Sequence, residues 1–251
     1  MAKIAVFDSG LGSLSIIQEM QKTFKSEIIY FADSQNFPYG KKSQAQLQRI
    51  MNKSIALLEK FSPDFIVVAS NTPSLMLNLS TKRIFDVKPP LKQAKKLTES
   101  KQIGILATES AIKSKGLSKY IEKNVSKSFK IFKINGSNLV ELVESGKFLT
   151  HKKYCKQIIK KELQLLNQNS IDVVTLSSTH LPFLRKYLEK EFPKIQFIDP
   201  GSIVTKKILS KLKNNQSKRN SLKIFTTGNT KKFQAKLSKI GIKNKVNFLP
   251  F

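Results

Sequence analysis

A chain of 251 residues with 45 Lys and Arg against 17 Asp and Glu, net charge +28, is long enough to bury a substantial core as one large domain or two ordinary ones. One cysteine, Cys155, excludes a disulfide framework and a multi-cysteine metal site, and two histidines, His151 and His180, argue against a structural zinc site. No apolar run is long enough to cross a bilayer, and MAKIAVFDSG lacks the apolar core of a secretory signal, so a cytoplasmic α/β protein without bound metal is expected.

The charge excess is almost all lysine, the arginines being Arg49, Arg83, Arg185 and Arg219. Arginine is the residue suited to bidentate phosphate and base-edge contacts. Spread lysines therefore read first as a solvated surface that binds polyanions non-specifically. Only the run near Lys206–Arg219 is concentrated.

Lys3–Phe7 reads as a first strand running into Asp8-Ser9-Gly10-Leu11-Gly12, with a helix over about Leu14–Phe24. GLG lacks the third glycine of a dinucleotide fingerprint, and an acidic residue stands where an anion would sit. Asp8 at a strand's carboxyl end suits an amine or a proton instead, a plain helix cap being the alternative. Ile28–Phe31 is a second strand. Pro38-Tyr39-Gly40 marks a turn displaying backbone N–H groups and a hydroxyl, and Ser43 with Gln46 forms a capping-box signature. Leu47, Ile50, Met51, Ile55 and Leu58 then give one buried helix face.

Phe65–Ala69 is apolar and too short for a helix, so it reads as a buried central strand. It stops in Ser70, Asn71 and Thr72, and ligands in open α/β sheets gather at carboxyl ends of strands. Pro73 is acceptable at the start of a helix. Val87-Lys88-Pro89-Pro90 reads as a linker, and the pattern then starts again. Ile103–Ala107 is a strand ending in Thr108-Glu109-Ser110. Helices follow at about Asn138–Glu144 and Lys152–Asn167, the second capped near Thr150, with Cys155 a quiet buried side chain inside it. Ser70 follows Asp64 by six residues, and Ser178 follows Asp172 by six, so Asn71 and Thr72 correspond to Thr179 and His180. Ile195–Ile198, a helix at about Val204–Leu212, a connector at Lys213–Asn220, a strand at Leu222–Thr226 and a helix from Thr230 complete the chain. Alternation of strand and helix predicts mainly parallel sheets flanked by helices. Two pseudo-symmetric α/β domains are expected, one from 1–92 with 208–251 and one from 93–207, with the active site in the cleft between them and Ser70 and Ser178 on its opposite walls.

Taken together, FDSGLGSLS, YFADSQNFPYGKKS, VVASNTPS, IGILATESAIKS, LVELVESGKF, LSSTHLP, IDPGS and FTTGNTKKF resemble the glutamate racemases of the cofactor-independent aspartate/glutamate racemase superfamily, in the family's order and over nearly the whole chain. The resemblance implies L- and D-glutamate interconversion without a cofactor, in support of cell wall biogenesis. Two cysteines on opposite faces of the α-carbon would exchange its proton, and they would fall at Ser70 and Ser178. Asp8 would assist the first, Glu144 and His180 the second. Ser9, Pro38, Tyr39, Gly40, Asn71, Thr72 and Thr179 would bind the acidic amino acid, glutamate or aspartate. A homodimer is compatible with the resemblance.

Both reacting positions are serine here, and Ala111, Ser177 and Pro73 also depart from the family pattern. A thiol titrates near 8.5 and can be pulled towards neutrality, whereas a hydroxyl is a weak base unless an adjacent base activates it. Three readings stand: a racemase working through serines or with its cysteines deliberately replaced, an inactive binder of acidic amino acids, or a different enzyme on the same scaffold. The flanking departures favour natural divergence over replacement.

Overall fold

The computed structural model describes residues 2–212 and 217–251, so residues 213–216 of the expected connector lie outside the described residues. The chain forms two compact units, Met1–Val87 with Gly201–Phe251, and Lys88–Pro200. The first division falls in the Pro-containing linker. The second falls before the helix Gly201–Leu212 rather than at 207, because that helix packs as one element against the helix Ser13–Thr23 of the first unit.

In unit 1, strands β1 (Lys3–Asp8), β2 (Glu27–Ala32), β3 (Phe65–Val68) and β4 (Ile84–Asp86) join β9 (Ser221–Thr226) and β10 (Val246–Phe248). The order is β10-β9-β2-β1-β3-β4, and every pairing is parallel. In unit 2, β5 (Gln102–Ala107), β6 (Lys130–Asn135), β7 (Val173–Leu176) and β8 (Gln196–Ile198) are also all parallel, in the order β6-β5-β7-β8. Read from β2 to β4 and from β6 to β8, the two units share one strand order. The repeated Asp-to-Ser spacing is thus the trace of a repeated four-strand core. Its central strands are buried on both faces, as continuous apolar runs require.

Local chemistry explains most boundaries. The Ser43 side chain accepts from the Gln46 amide while Gln46 Oε1 accepts from the Ser43 amide, closing the expected capping box on helix Gln44–Glu59. Of its apolar stripe, Leu47, Ile50, Met51 and Leu58 are buried and Ile55 packs at the edge. Thr150 does not cap the later helix: its hydroxyl meets His151 Nδ1 at 2.7 Å, and His151 occupies the cap position of Lys152–Glu162. That helix ends at Glu162, and a separate short turn covers Leu165–Gln168. Cys155 within it is fully buried, and burial pushes its thiol up, as a quiet hydrophobe requires. Sequence patterning passed over β4, β6 and β10. Two are only three residues long, and β6 is a half-exposed edge strand interrupted by Lys133.

The two aspartates of the repeat are structural. Asp64 Oδ2 accepts the Lys3 amide at 2.8 Å and so fixes the start of β1. Asp172 accepts from Thr98 Oγ1 at 2.6 Å and from the amides of Glu99 and Ser100 at 2.7 and 2.8 Å, fixing the approach to β5. Partial burial raises the Asp172 carboxyl, but these hydrogen bonds outweigh it and hold the group below its ordinary range. A depressed native value stabilises the fold above the unfolded-state value near 3.9 and stops doing so as pH falls through the native one. Asp172→Ala is therefore expected to lower stability by about 2 kcal/mol at neutral pH, with the difference shrinking on acidification. Denaturant midpoints at neutral pH and at pH about 3 check this.

Candidate active site

In unit 1 the carboxyl ends of β2, β1 and β3 lie side by side. Phe7 is in register with Val68 and Asp8 with Ala32, and the ladder runs on through Ala69 N–H to Phe7 O and Asp33 N–H to Asp8 O, both 2.8 Å. Asp8, 2% exposed, accepts the Ser9 amide on Oδ1 at 2.7 Å. Ser70 precedes the short helix Asn71–Met76. It is half-buried, and its hydroxyl makes no capping hydrogen bond. Its carbonyl instead accepts Ser74 Oγ at 2.6 Å. Pro73 sits in the first turn, where its missing N–H has no helical acceptor to lose.

Asn71 donates through Nδ2 to Val87 O at 3.1 Å, but its Oδ1 is buried and takes no hydrogen bond from the described residues. A buried acceptor without a donor is a place for a ligand N–H or a water.

The turn Pro38-Tyr39-Gly40 is held from behind. Tyr39 is 2% exposed, and its hydroxyl donates to Asp33 Oδ2 at 3.1 Å, so that oxygen does not face outward as the sequence suggested. Asp33 also accepts from Asn36 Nδ2 on both oxygens and from Thr227 Oγ1 at 3.1 Å. Burial raises the Asp33 carboxyl, partly offset by these bonds, and burial with the nearby Asp33 and Asp8 charges raises the Tyr39 phenol well above its usual value. Tyr39 is therefore a neutral donor. Sequence reading missed Asp33 and Thr227. Their signal was present, a polar residue immediately after each apolar strand.

In unit 2, Leu106 is in register with Leu176, which brings the polar ends after β5 and β7 together. Ser178 and Thr179 are 7% and 2% exposed. The neighbouring Ser177 turns inward: its hydroxyl meets Thr175 Oγ1 at 2.9 Å and its amide donates to Leu106 O. This departure from the family pattern is absorbed by the strand. His180 Nε2 meets Glu144 Oε2 at 3.0 Å, both side chains more than nine-tenths buried. Helix Ser137–Glu144 buries Leu139, Leu142 and Val143 and packs on the 3₁₀ turn Leu181–Leu184, which aims Glu144 at His180. Gly146 then takes a left-handed conformation, φ 74°, that leads the chain to Phe148, whose ring lies against Phe183. Thr108 Oγ1 is 3.3 Å from Ser110 Oγ, and Ala111 is buried.

Unit 1 thus gathers Asp8, Ser9, Ser70, Asn71 and Thr72 with the Tyr39 turn, and unit 2 gathers Glu144, Ser178, Thr179 and His180. Among the described residues no group of His, Cys, Asp and Glu is arranged to hold a metal ion, and no helix is long and apolar enough to cross a membrane.

Two units, each a parallel sheet with polar residues at its strand ends, define an α/β protein with a buried acid–base pair, Glu144 and His180, in its second unit. The chain belongs to the Asp/Glu/Hydantoin racemase family, whose model matches residues 4–208. It is 32% identical over 212 residues to a glutamate racemase of Desulforudis audaxviator, covering 80% of this chain and 77% of that one. The crystal structure of the glutamate racemase isoform RacE1 of Bacillus anthracis superposes with a TM-score of 0.86 at 25% identity, over 100% of this chain and 98% of the other. The glutamate racemase of Francisella tularensis, solved in complex with D-glutamate, shares the fold at TM-score 0.81 and 22% identity, covering 100% and 97%. The chain is glutamate racemase-like.

Proposed function

We propose that the chain binds glutamate at these strand ends, without a cofactor, and exchanges its α-proton only slowly in the present Ser70/Ser178 form. Asn71 carries the reading, since its buried, unpartnered Oδ1 is an acceptor for a substrate ammonium. Asp8 holds the Ser9 amide beside it. The hydroxyls of Ser9, Thr72 and Thr179 and the backbone N–H groups of Tyr39 and Gly40 take the two carboxylates. Ser70 and Ser178 occupy the two proton-transfer positions, with Asp8 and the Glu144–His180 pair as their respective bases. Racemisation moves one proton from the α-carbon to a base on one face and delivers another from a donor on the opposite face.

A second reading, an inactive binder of acidic amino acids, is favoured by the same two serines. It keeps the binding groups and drops the transfer. The named relatives support glutamate over aspartate, and a cytoplasmic homodimer belongs to the same proposal.

Hydrogen bonds to a charged group are worth roughly 1.5–3 kcal/mol, so Thr72→Val is expected to weaken glutamate binding about ten-fold or more, read by calorimetry. No binding of glutamate or aspartate at millimolar concentration removes the proposal. Incubation in deuterated water with NMR detection then separates the two readings, because a slow racemase exchanges the α-hydrogen and a pure binder does not.

A further inference from the structure

The chain's charge is not evenly spread. Between Gly201 and Phe251 stand thirteen Lys and Arg and no Asp or Glu, whereas the preceding residues hold all 17 carboxylates. The fold brings part of this segment to the amino-end side of unit 1's sheet, away from the strand ends described above. Ser217 N–H donates to Lys25 O and Ser221 N–H to Ser26 O. Asn220 Oδ1 accepts the Ser26 amide at 3.1 Å, and its Nδ2 donates to Gln21 O at 3.0 Å. These bonds tie the approach to β9 to the end of helix Ser13–Thr23 and the approach to β2, and so collect Lys22, Lys25, Lys218 and Arg219, all exposed. Beside them lies an open groove of about 430 Å³ lined by Gln18, Gln21, Asn220 and Asn244 together with Leu222, over the buried Leu14 and Ile17. Its far wall is the turn Ile240–Asn244, which carries exposed Lys243 and follows exposed Lys239. Of the carboxylates at this end of the sheet, Glu27 is 8% exposed and paired with Lys223 at 2.8 Å, Glu19 is half-buried, and exposed Asp64 is engaged by the Lys3 amide.

We propose that this face is a binding surface for single-stranded nucleic acid. Six cations, five of them lysines, suit phosphates as point charges rather than base edges. A groove lined by four amide side chains, with apolar contact from Leu222, Ile240 and Ile242, accepts an unpaired base, whose edge carries donors and acceptors. A duplex keeps the faces stacked and the Watson–Crick edges paired. No aromatic side chain lines the groove, so electrostatics dominates, and binding is sequence-tolerant and steeply salt-dependent.

The test uses fluorescence anisotropy of a labelled mixed-sequence RNA of about 20 nucleotides. Six phosphate contacts on a single strand correspond to a log–log salt slope of about −4. Reversing four charges (Lys22→Glu, Lys218→Glu, Arg219→Glu, Lys243→Glu) removes four contacts and adds repulsion, and is expected to abolish most of that slope, a loss of about 3 or more. The control reverses four exposed lysines of unit 2 (Lys119→Glu, Lys123→Glu, Lys152→Glu, Lys153→Glu) and should change it little. Glutamine at the same four unit 1 positions gives a smaller loss in the same direction, which protects the test if the reversed variant melts early. Equal loss in the control, tighter binding of the duplex form, or binding only to phosphatidylserine vesicles overturns the proposal. Glutamate affinity, measured on the same proteins, should not move, so this inference and the racemase-like reading fail independently.

Discussion

The double variant Ser70→Cys/Ser178→Cys is expected to racemise glutamate on the order of a thousand-fold or more faster than the chain as it stands. Two-base racemisation needs a base on one face of the α-carbon and an acid on the other, with roles exchanged in the reverse direction. A thiol near pKa 8.5 populates both forms close to neutrality. A hydroxyl populates only the protonated form unless a neighbour takes its proton. The surroundings are suited to a thiol. Ser70 is half-buried with no capping bond to lose, and it directly follows Ala69, whose amide donates to Phe7 O on the strand that ends in Asp8. Ser178 stands two residues from His180, whose Nε2 is already paired with Glu144. Each single variant should exchange α-deuterium at one face and add little to net racemisation. Circular dichroism of glutamate, with deuterium incorporation by NMR, reads both. A folded double variant that binds glutamate and stays inactive would place the change of function deeper, at Ser177, Ala111 or Pro73. Turnover of about 1 s⁻¹ or faster in the serine form, an ordinary enzymatic rate, would show the thiols to be dispensable.

Much of this was readable from residues because one physical rule repeats. An apolar run of four to six residues that stops in small polar ones is a buried parallel strand with its chemistry at the carboxyl end. That rule located Asp8, Ser70, Thr108 and Ser178, and the matching strand orders of the two units follow from the same repeat. It failed for edge strands, whose burial is set by neighbours: β6 reads Lys-Ile-Phe-Lys-Ile-Asn, and nothing local separates that from a solvated stretch. It also misread Tyr39. A Pro-Tyr-Gly turn says that a hydroxyl is present, but only the fold shows it turned back onto Asp33. The partner lies six residues away and is fixed in turn by Thr227, nearly two hundred residues further on. The direction of a side chain that bridges such distances is a tertiary fact. Likewise the six-residue spacing drew attention to Asp64 and Asp172 together with the serines, yet those aspartates tie strand beginnings, at the other end of the sheet.

Asp33 is where stability and function should separate. Its carboxyl is fully buried and receives Tyr39, Asn36 and Thr227, yet burial outweighs those bonds and leaves it above its ordinary value. A raised native value means that the stability linked to its protonation is complete below the unfolded-state value near 3.9 and is lost as pH rises through the native one. Burial thus disfavours the charged form of this carboxyl in the folded chain. Asp33→Ala leaves three donors in a dry pocket and is expected to lower stability by about 3 kcal/mol. Asp33→Asn keeps the size, removes the charge and lets whichever of the Tyr39 and Thr227 hydroxyls faces the amide nitrogen turn to accept, while the other still donates to the carbonyl oxygen. At neutral pH it should therefore match or exceed the wild type in denaturant midpoint. On acidification the wild type should gain on it, since a protonated carboxyl and an amide are then near equals. Glutamate binding should follow the opposite order from stability at neutral pH. The Asn variant re-aims the Tyr39 turn that the proposal assigns to a carboxylate, and it should bind several-fold more weakly although it folds well. An Asn variant that is less stable than wild type at neutral pH and draws level with it in acid would mean that the hydrogen bonds, not burial, decide the energy of this carboxylate. An Asn variant that binds glutamate at full strength would make the network a matter of folding alone.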